Sequence, residues 1–377
     1  MTKNTPEAIW DKVQKGVFII AEAGKNFIQT KEEQTPSEYL ENAKHLVDAA
    51  VQGGADAVKF QTHCVDDEVM NINFISPHFT APGSSRYQWV RRNTEATPLE
   101  EFWKPLKQYC DEKGIIFMST PMSRNAAKML EEEVGVNVWK IGSGDILDFV
   151  CLDFVRNTQK PILLSSGMST LDELRMSLKF VGENNARVAM LHCVSKYPCP
   201  PEELFLGTIN LLKEEFDVPI GFSDHSLGVF ADLVAVALGA SVIEKHFTLS
   251  RDLYGADHKI SMTPDEFASL TASISKVLEN SEKKKEILES EYANAAISKK
   301  EKVLQEGEVV FRPLFRKALV FGQDVPKGAV LTEEMVYAMR PQAYIKGLPS
   351  ERYEEVLGKV VSQDVRKFDP ITEDVIG

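Results

Sequence analysis

Ile220-Gly221-Phe222-Ser223-Asp224-His225-Ser226 is followed by a helix-like run and then by Ser241-Val242-Ile243-Glu244-Lys245-His246-Phe247-Thr248. Each of the two histidines stands at the far end of a short apolar run rich in β-formers. If the runs are adjacent parallel strands, His225 and His246 point into one mouth, where they could hold a divalent metal. Taken singly, each reads more readily as a satisfied core or loop histidine. The shared-site reading gains from the rest of the chain, where other apolar runs end on polar or charged residues in the same way.

Working outward, Val17 to Gly24 is a continuous apolar run that ends around Glu22, followed by a polar loop and a helical pattern from Ser37 to Gly53. Ala55 to Gln61 repeats the pattern and carries Lys59 and Gln61. After a long polar and aromatic insertion, Cys64 to Thr97, a helix is expected from about Pro98 to Lys113, stopped by Gly114. Further strands are expected at Ile115–Pro121, Val136–Asp145, Pro161–Gly167 and Arg187–Ser195, and the opening stretch supplies the seventh and eighth.

Eight apolar strands alternating with helices predict a closed (β/α)8 TIM barrel. A doubly wound open sheet is the competing architecture, but no Gly-x-Gly-x-x-Gly turn follows the first strand. In a barrel the strand ends converge on the C-terminal face, so Glu22, Lys59, Thr120, Lys140, Ser143, Ser165, Ser195, Ser223, His225 and His246 would share one pocket. The charged stretch Glu282 to Glu291 reads as a solvated helical face or linker. From about Val309 short apolar segments broken by Gly and Pro predict a small β-rich domain. The expected division is a barrel over 1–280, a linker over 281–308 and a second domain over 309–377.

With 377 residues and 43% hydrophobic content, the chain is long enough for a large buried core. Its net charge of −13 argues against nucleic acid or an anionic membrane as partner. The polar N-terminus, with Glu7 and Asp11, and the lack of a long apolar run read as a soluble, cytoplasmic protein. Five cysteines without CxxC spacing fit reduced thiols, with Cys193 and Cys199 structural.

Two histidines with oxygen ligands suit Mn²⁺ or Mg²⁺ rather than zinc. Lys59 and Lys140 at separate strand ends call for an anion. The hydroxyls of Thr120, Ser143, Ser165 and Ser223, with the backbone N–H groups of Gly142 and Gly144, would complete a phosphate and carboxylate cradle. Outward snorkelling or a Schiff base are the other readings of the lysines. Glu22 is a candidate acid or base, or a salt-bridge partner of one lysine.

The ordered set Ile20–Asn26, Val58–Thr62, Ser119–Pro121, Lys140–Asp145, Leu164–Met168, His192–Pro198, Gly221–Ser226 and Glu244–Thr248 resembles the N-acetylneuraminate (sialic acid) synthase family. The tail, with Pro326–Thr332 and Arg340-Pro341, resembles that family's C-terminal antifreeze-like (SAF) domain. The resemblance implies condensation of phosphoenolpyruvate with an open-chain N-acylated hexosamine such as N-acetylmannosamine, giving a nine-carbon 2-keto-3-deoxy acid and phosphate. It implies a metal, most simply Mn²⁺, on His225 and His246. Phosphoenolpyruvate would be held by Lys59, Thr120, Lys140, Ser143, Ser165, Ser195 and Ser223, with Glu22 acting on the water or intermediate. Gln61, Asp145, Tyr197 and Asp257 match sugar-contact positions. Arg340 matches an arginine that reaches the N-acyl group in the partner subunit of a domain-swapped homodimer.

Three departures from the family pattern are expected to lie near the sugar. Asn26-Phe27 replaces Asn-His, the loop from Phe27 to Pro36 is longer, and Gln342 follows Arg340-Pro341 in place of glycine. A legionaminic or pseudaminic acid synthase acting on a 2,4-diacetamido-6-deoxy hexose, an enzyme for a spore-coat sugar, and a non-catalytic carbohydrate-binding barrel are the alternatives.

Overall fold

The computed structural model describes residues 4–72 and 85–377. Among them, eight parallel strands form one sheet: β1 (Phe18–Gly24), β2 (Ala57–Thr62), β3 (Ile116–Pro121), β4 (Trp139–Ile141), β5 (Ile162–Ser165), β6 (Val188–Cys193), β7 (Ile220–Asp224) and β8 (Val242–His246). The order β3-β2-β1-β8-β7-β6-β5-β4 joins first strand to last, and β3 lies against β4 to complete the barrel. The register pairs Glu22 with both Lys59 and His246.

Strand periodicity of two explains how the site is built. Phe18, Ile20, Ala57, Ile116, Met118, Leu163, Leu191 and Val242 pack together inside the barrel. One step further along the same faces come Glu22, Lys59, Thr120, Ser165, Cys193 and Glu244. The apolar layers fill the barrel's interior, and the next layer, at the C-terminal mouth, is polar. Helix Pro6–Lys15 closes the opposite end, where Ile9 and Val13 join the interior cluster. Alternate strand residues such as Ile19, Phe60, Phe117 and Ile243 face the surrounding helices in the main core.

Local signals set the helix ends. The helix Pro36–Gln52 begins with a Thr35/Glu38 capping box, and Lys104–Lys113 stops at Gly114, whose φ of 71° suits glycine. The charged stretch forms the helix Ser281–Leu288, which is exposed except at Ile287 and the partly buried Leu288. The next helix, Glu291–Ala296, buries Ala293 and Ala296. This connection is therefore packed against the barrel rather than extended.

The small domain pairs β9 (Ala318–Phe321) with β10 (Val336–Met339), antiparallel, and adds isolated bridges such as Val325 with Val365. It docks on the barrel mouth through main-chain bonds: Met70 N–H donates to the Arg340 carbonyl at 2.9 Å, and Arg340 N–H donates to the Glu68 carbonyl at 3.0 Å. Arg124 adds two bonds of 2.8 Å to the carbonyls of Glu333 and Val336. Among the described residues no helix is long and apolar enough to cross a membrane.

Candidate active site

At the centre of the mouth four buried charged side chains alternate in sign. Lys59 Nζ lies 2.6 Å from Glu22 Oε2 and 3.7 Å from Glu244 Oε2, and Lys140 Nζ lies 3.5 Å from Glu244 Oε1. Gln61 Nε2 donates to Glu22 Oε1 at 2.9 Å, Lys59 donates to Thr120 Oγ1 at 3.2 Å, and Ser223 Oγ donates to Glu244 Oε1 at 3.0 Å. Lys140 also donates to the Ile141 carbonyl at 3.2 Å. Neither lysine snorkels outward: both are almost fully buried.

Burial and pairing tune these groups in different directions. Burial pushes the Glu22 carboxyl up; Lys59 opposes the push and Glu244 adds to it. At Lys59 burial pulls down, but Glu22 and Glu244 outweigh it and the ammonium is strengthened. Lys140, with Glu244 as its chief support and Lys59 as a like-charged neighbour, is pulled down by burial. Glu244 is held at about 2, because Lys140, Lys59 and the Ser223 hydroxyl outweigh its burial. Glu22 is thus the carboxyl here that most readily carries a proton.

The hydroxyls gather beside this array. Ser143 Oγ accepts from the Gly167 N–H at 3.1 Å and lies 3.5 Å from Cys193 Sγ. The hydroxyls of Ser143 and Ser195 sit so close to Gly167 that any Cβ there would collide with them. Among the described residues the buried Ser165 Oγ has no hydrogen-bond partner, as a group awaiting a ligand would have none.

His225 and His246 stand 5.3 Å apart between ring centroids, and Tyr197, half exposed, lays its ring 4.0 Å from that of His225. The Val194 carbonyl lies 2.8 Å from His225 Nδ1, which must donate to it, so in the neutral ring it is Nε2 that carries the lone pair. Burial pulls His225 down, but Cys193, 3.9 Å away, and the Val194 carbonyl outweigh it. His246 is held neutral, at about 4, mainly by burial, and its buried Nδ1 has no hydrogen-bond partner among the described residues. Among the described residues no three His, Cys, Asp or Glu side chains form a ready metal cage. Two imidazoles without a third such ligand would suit an open metal site rather than a closed cage.

The expected sugar contacts divide. Gln61 is tied to Glu22, and Asp257, half-buried in the turn Asp257–Ile260, contributes its charge at both His246 and Lys25. Asp145 does not offer a free carboxylate: it pairs with Arg340 and lies 3.1 Å from Lys317, which also holds Asp148 at 2.6 Å. Arg340, matched by resemblance to an arginine that reaches a partner subunit, meets Asp145 of its own chain in this single-chain structure. Phe27 is buried among Tyr39, Phe60 and Phe102 in the main core.

Three features were missed in the sequence. Glu244 was passed over although it lies two residues before His246 on the same strand face, the parity that should have found it. Cys193, expected to be structural, faces Ser143 and His225 in the site. Beside Arg340 lies a second charged group: His63 Nδ1 contacts Glu68 Oε2 at 2.6 Å, Lys25 meets the other face of His63, and Arg86 Nη2 lies 3.8 Å from Glu68. The Lys25 ammonium also stands 3.5 Å over the Trp89 ring. No local pattern marked this cluster, which joins the start of the barrel to the insertion.

The NeuB family matches residues 46–286 and the SAF domain matches residues 316–376. The chain is 32% identical to the N,N'-diacetyllegionaminic acid synthase of Campylobacter jejuni, over 95% of this chain and 100% of that one. It is 30% identical to the human N-acetylneuraminate-9-phosphate synthase, over 97% of this chain and 94% of that one. The crystal structure of the spore coat polysaccharide biosynthesis protein SpsE from Bacillus subtilis superposes with a TM-score of 0.74 at 31% identity, covering 96% of this chain and 95% of that one. A barrel with buried lysines and glutamates at its mouth, capped by a small β domain and matched nearly end to end by these synthases, belongs to the NeuB family and carries an SAF domain.

Proposed function

We propose that the protein condenses phosphoenolpyruvate with the open-chain aldehyde of an N-acylated hexosamine, giving a 2-keto-3-deoxy nonulosonic acid and phosphate. The observation that carries the reading is the buried Glu22–Lys59–Glu244–Lys140 array ringed by hydroxyls. In itself the array is balanced, two charges of each sign. A phosphoenolpyruvate trianion takes up the two ammonium groups, its phosphate facing the hydroxyls of Ser143, Ser165 and Ser195 and its carboxylate reached by Lys59 and Thr120 or Ser223. Adding that charge beside Glu22 pushes its carboxyl further toward the protonated form.

Carbon 3 of phosphoenolpyruvate forms the new bond to the aldehyde carbon, and the aldehyde oxygen takes a proton. Water then adds at carbon 2, and the tetrahedral adduct loses phosphate by C–O cleavage. Glu22, fixed by Lys59 and Gln61, holds and returns the protons for these steps. His225 and His246 would hold a divalent ion, Mn²⁺ or Mg²⁺, which when bound supplies Lewis-acid polarisation of the aldehyde. Tyr197, Gln61, Asp257 and Arg340 line the space left for the sugar. Exchange of small domains between two chains to form a homodimer would keep the same docking contacts.

Phosphate release from phosphoenolpyruvate with Mn²⁺ tests the reading, with N-acetylmannosamine set beside 2,4-diacetamido-6-deoxy hexoses and a chelator control. Chelator-sensitive release with one sugar supports the synthase and identifies its acceptor. Bound phosphoenolpyruvate with no release for any of these sugars would favour a carbohydrate-binding barrel.

A further inference from the structure

The segment between barrel and small domain sends one carboxylate into the mouth. Glu308, in the short helix Glu306–Val309, is 1% exposed. Its Oε1 accepts from the Met168 N–H at 2.8 Å and the Ser195 N–H at 3.0 Å. These two N–H groups follow β5 and β6, in the loops that carry the hydroxyl cradle. On the other side of the same residue, Arg312 and Arg316 donate to the Met168 carbonyl at 2.6 and 2.7 Å. One strap thus grips Met168 by both its N–H and its carbonyl.

Met168 needs such a grip. Its φ of 53° lies in the left-handed region that non-glycine residues avoid, and such a conformation persists only where the surroundings over-determine it. One residue earlier, Gly167 donates to Ser143 Oγ and is closely faced by the Ser195 hydroxyl. A shift of Met168 therefore moves Gly167, and with it the spacing of two hydroxyls. Glu308 also holds Ser195 directly through its N–H.

We propose that Glu308 is a positioning residue for the donor substrate. By holding Met168 and Ser195 it sets the Ser143–Ser195 cradle for the phosphate of phosphoenolpyruvate, and so couples the strap leading to the small domain to donor affinity. This rests on reading the cradle as the phosphoenolpyruvate site. Both bonds go to a single oxygen, so a glutamine carbonyl at 308 can accept both, whereas alanine can accept neither.

The test is calorimetric binding of phosphoenolpyruvate to the full chain with Mn²⁺, together with KM for each substrate and a thermal melt. Glu308→Ala is expected to raise Kd and KM for phosphoenolpyruvate at least tenfold, well beyond any change in the sugar KM or in kcat. Glu308→Gln is expected to return most of that loss. Should Glu308→Ala fail to fold, Arg312→Gln, which frees the Met168 carbonyl from one donor, is expected to raise the same KM in the same direction. Wild-type binding with no weakening in Glu308→Ala, or in Arg312→Gln where it is used instead, overturns the inference alone. So does a loss spread equally over both substrates and kcat. Wild-type protein that binds no phosphoenolpyruvate overturns the reading of the site and the inference with it.

Discussion

Arg340 of the small domain and Asp145 of the barrel form one buried ion pair, with the Lys317 ammonium 3.1 Å from the same carboxylate. Two residues read from the sequence as separate sugar contacts are therefore partners of each other. The wall they build exists only while the small domain is docked.

Removing one member leaves the other buried and unpaired. Among the described residues Arg340 Nε and Nη1 have no hydrogen-bond partner, and Asp145→Ala removes the carboxylate that Nη2 meets. The expected loss is about 3–5 kcal/mol of docking stability. Urea unfolding and limited proteolysis between 297 and 317 read it out. A wild-type midpoint and an uncut connection in the variant would count against the pair as the domain's anchor.

Glu22→Gln keeps the shape and the bond to Gln61 but removes the ionisable group. Turnover is expected to fall at least about a hundredfold. Phosphoenolpyruvate binding should be spared or tightened, because Lys59 loses one competing carboxylate 2.6 Å away. Stopped phosphate release and equilibrium binding separate the two effects, and an unchanged rate would remove Glu22 from the chemistry.

Gly167→Ala tests the cradle from the inside. The backbone at 167 is not left-handed, so alanine meets no φ penalty there, but its Cβ would strike the Ser143 and Ser195 hydroxyls, the former at 2.6 Å. Phosphoenolpyruvate KM is expected to rise tenfold or more, about 1.4 kcal/mol. The sugar KM should move much less; a rise in both alike would show general distortion.

His192 supplies a pH signature for the barrel core. Burial holds it at about 4, with its Nε2–H donating to the Leu204 carbonyl at 2.7 Å. An unfolded histidine titrates near about 6.5, so the unfolded chain takes up the proton first. The stabilisation is full above that value and declines as pH falls toward 4, by about 3 kcal/mol in all. Urea midpoints between pH 7 and 4.5 should show this slope, and His192→Gln should make it shallower by the His192 share, since His246, held at about 4 as well, keeps its own.

The barrel was legible because each strand announces itself locally. The run Phe18-Ile19-Ile20-Ala21 and the pair Val242-Ile243 are short, apolar and rich in β-branched residues, and helical patterns separate them from their neighbours. Because strand ends converge on the C-terminal face of a barrel, Glu22, Lys59 and His246 then read as neighbours in one mouth. Strand parity on β8 also sends Glu244, two residues before His246, to that mouth. Lys245 is buried against Asp224, with Asp232 3.4 Å away.

Sequence alone thus determined the eight-strand alternation, the polar ends and the change of character near residue 309, since these depend on side-chain periodicity within a dozen residues. Only the tertiary structure decided which charges meet. Lys59 lies between Glu22 and Glu244 because β1 closes onto β8; Arg340 finds Asp145, and Glu308 finds Met168 and Ser195, across more than a hundred residues of chain. The physical reason is that burial leaves a charged or polar group no water to pair with, so its partner is chosen by what the closed barrel and docked domain bring near.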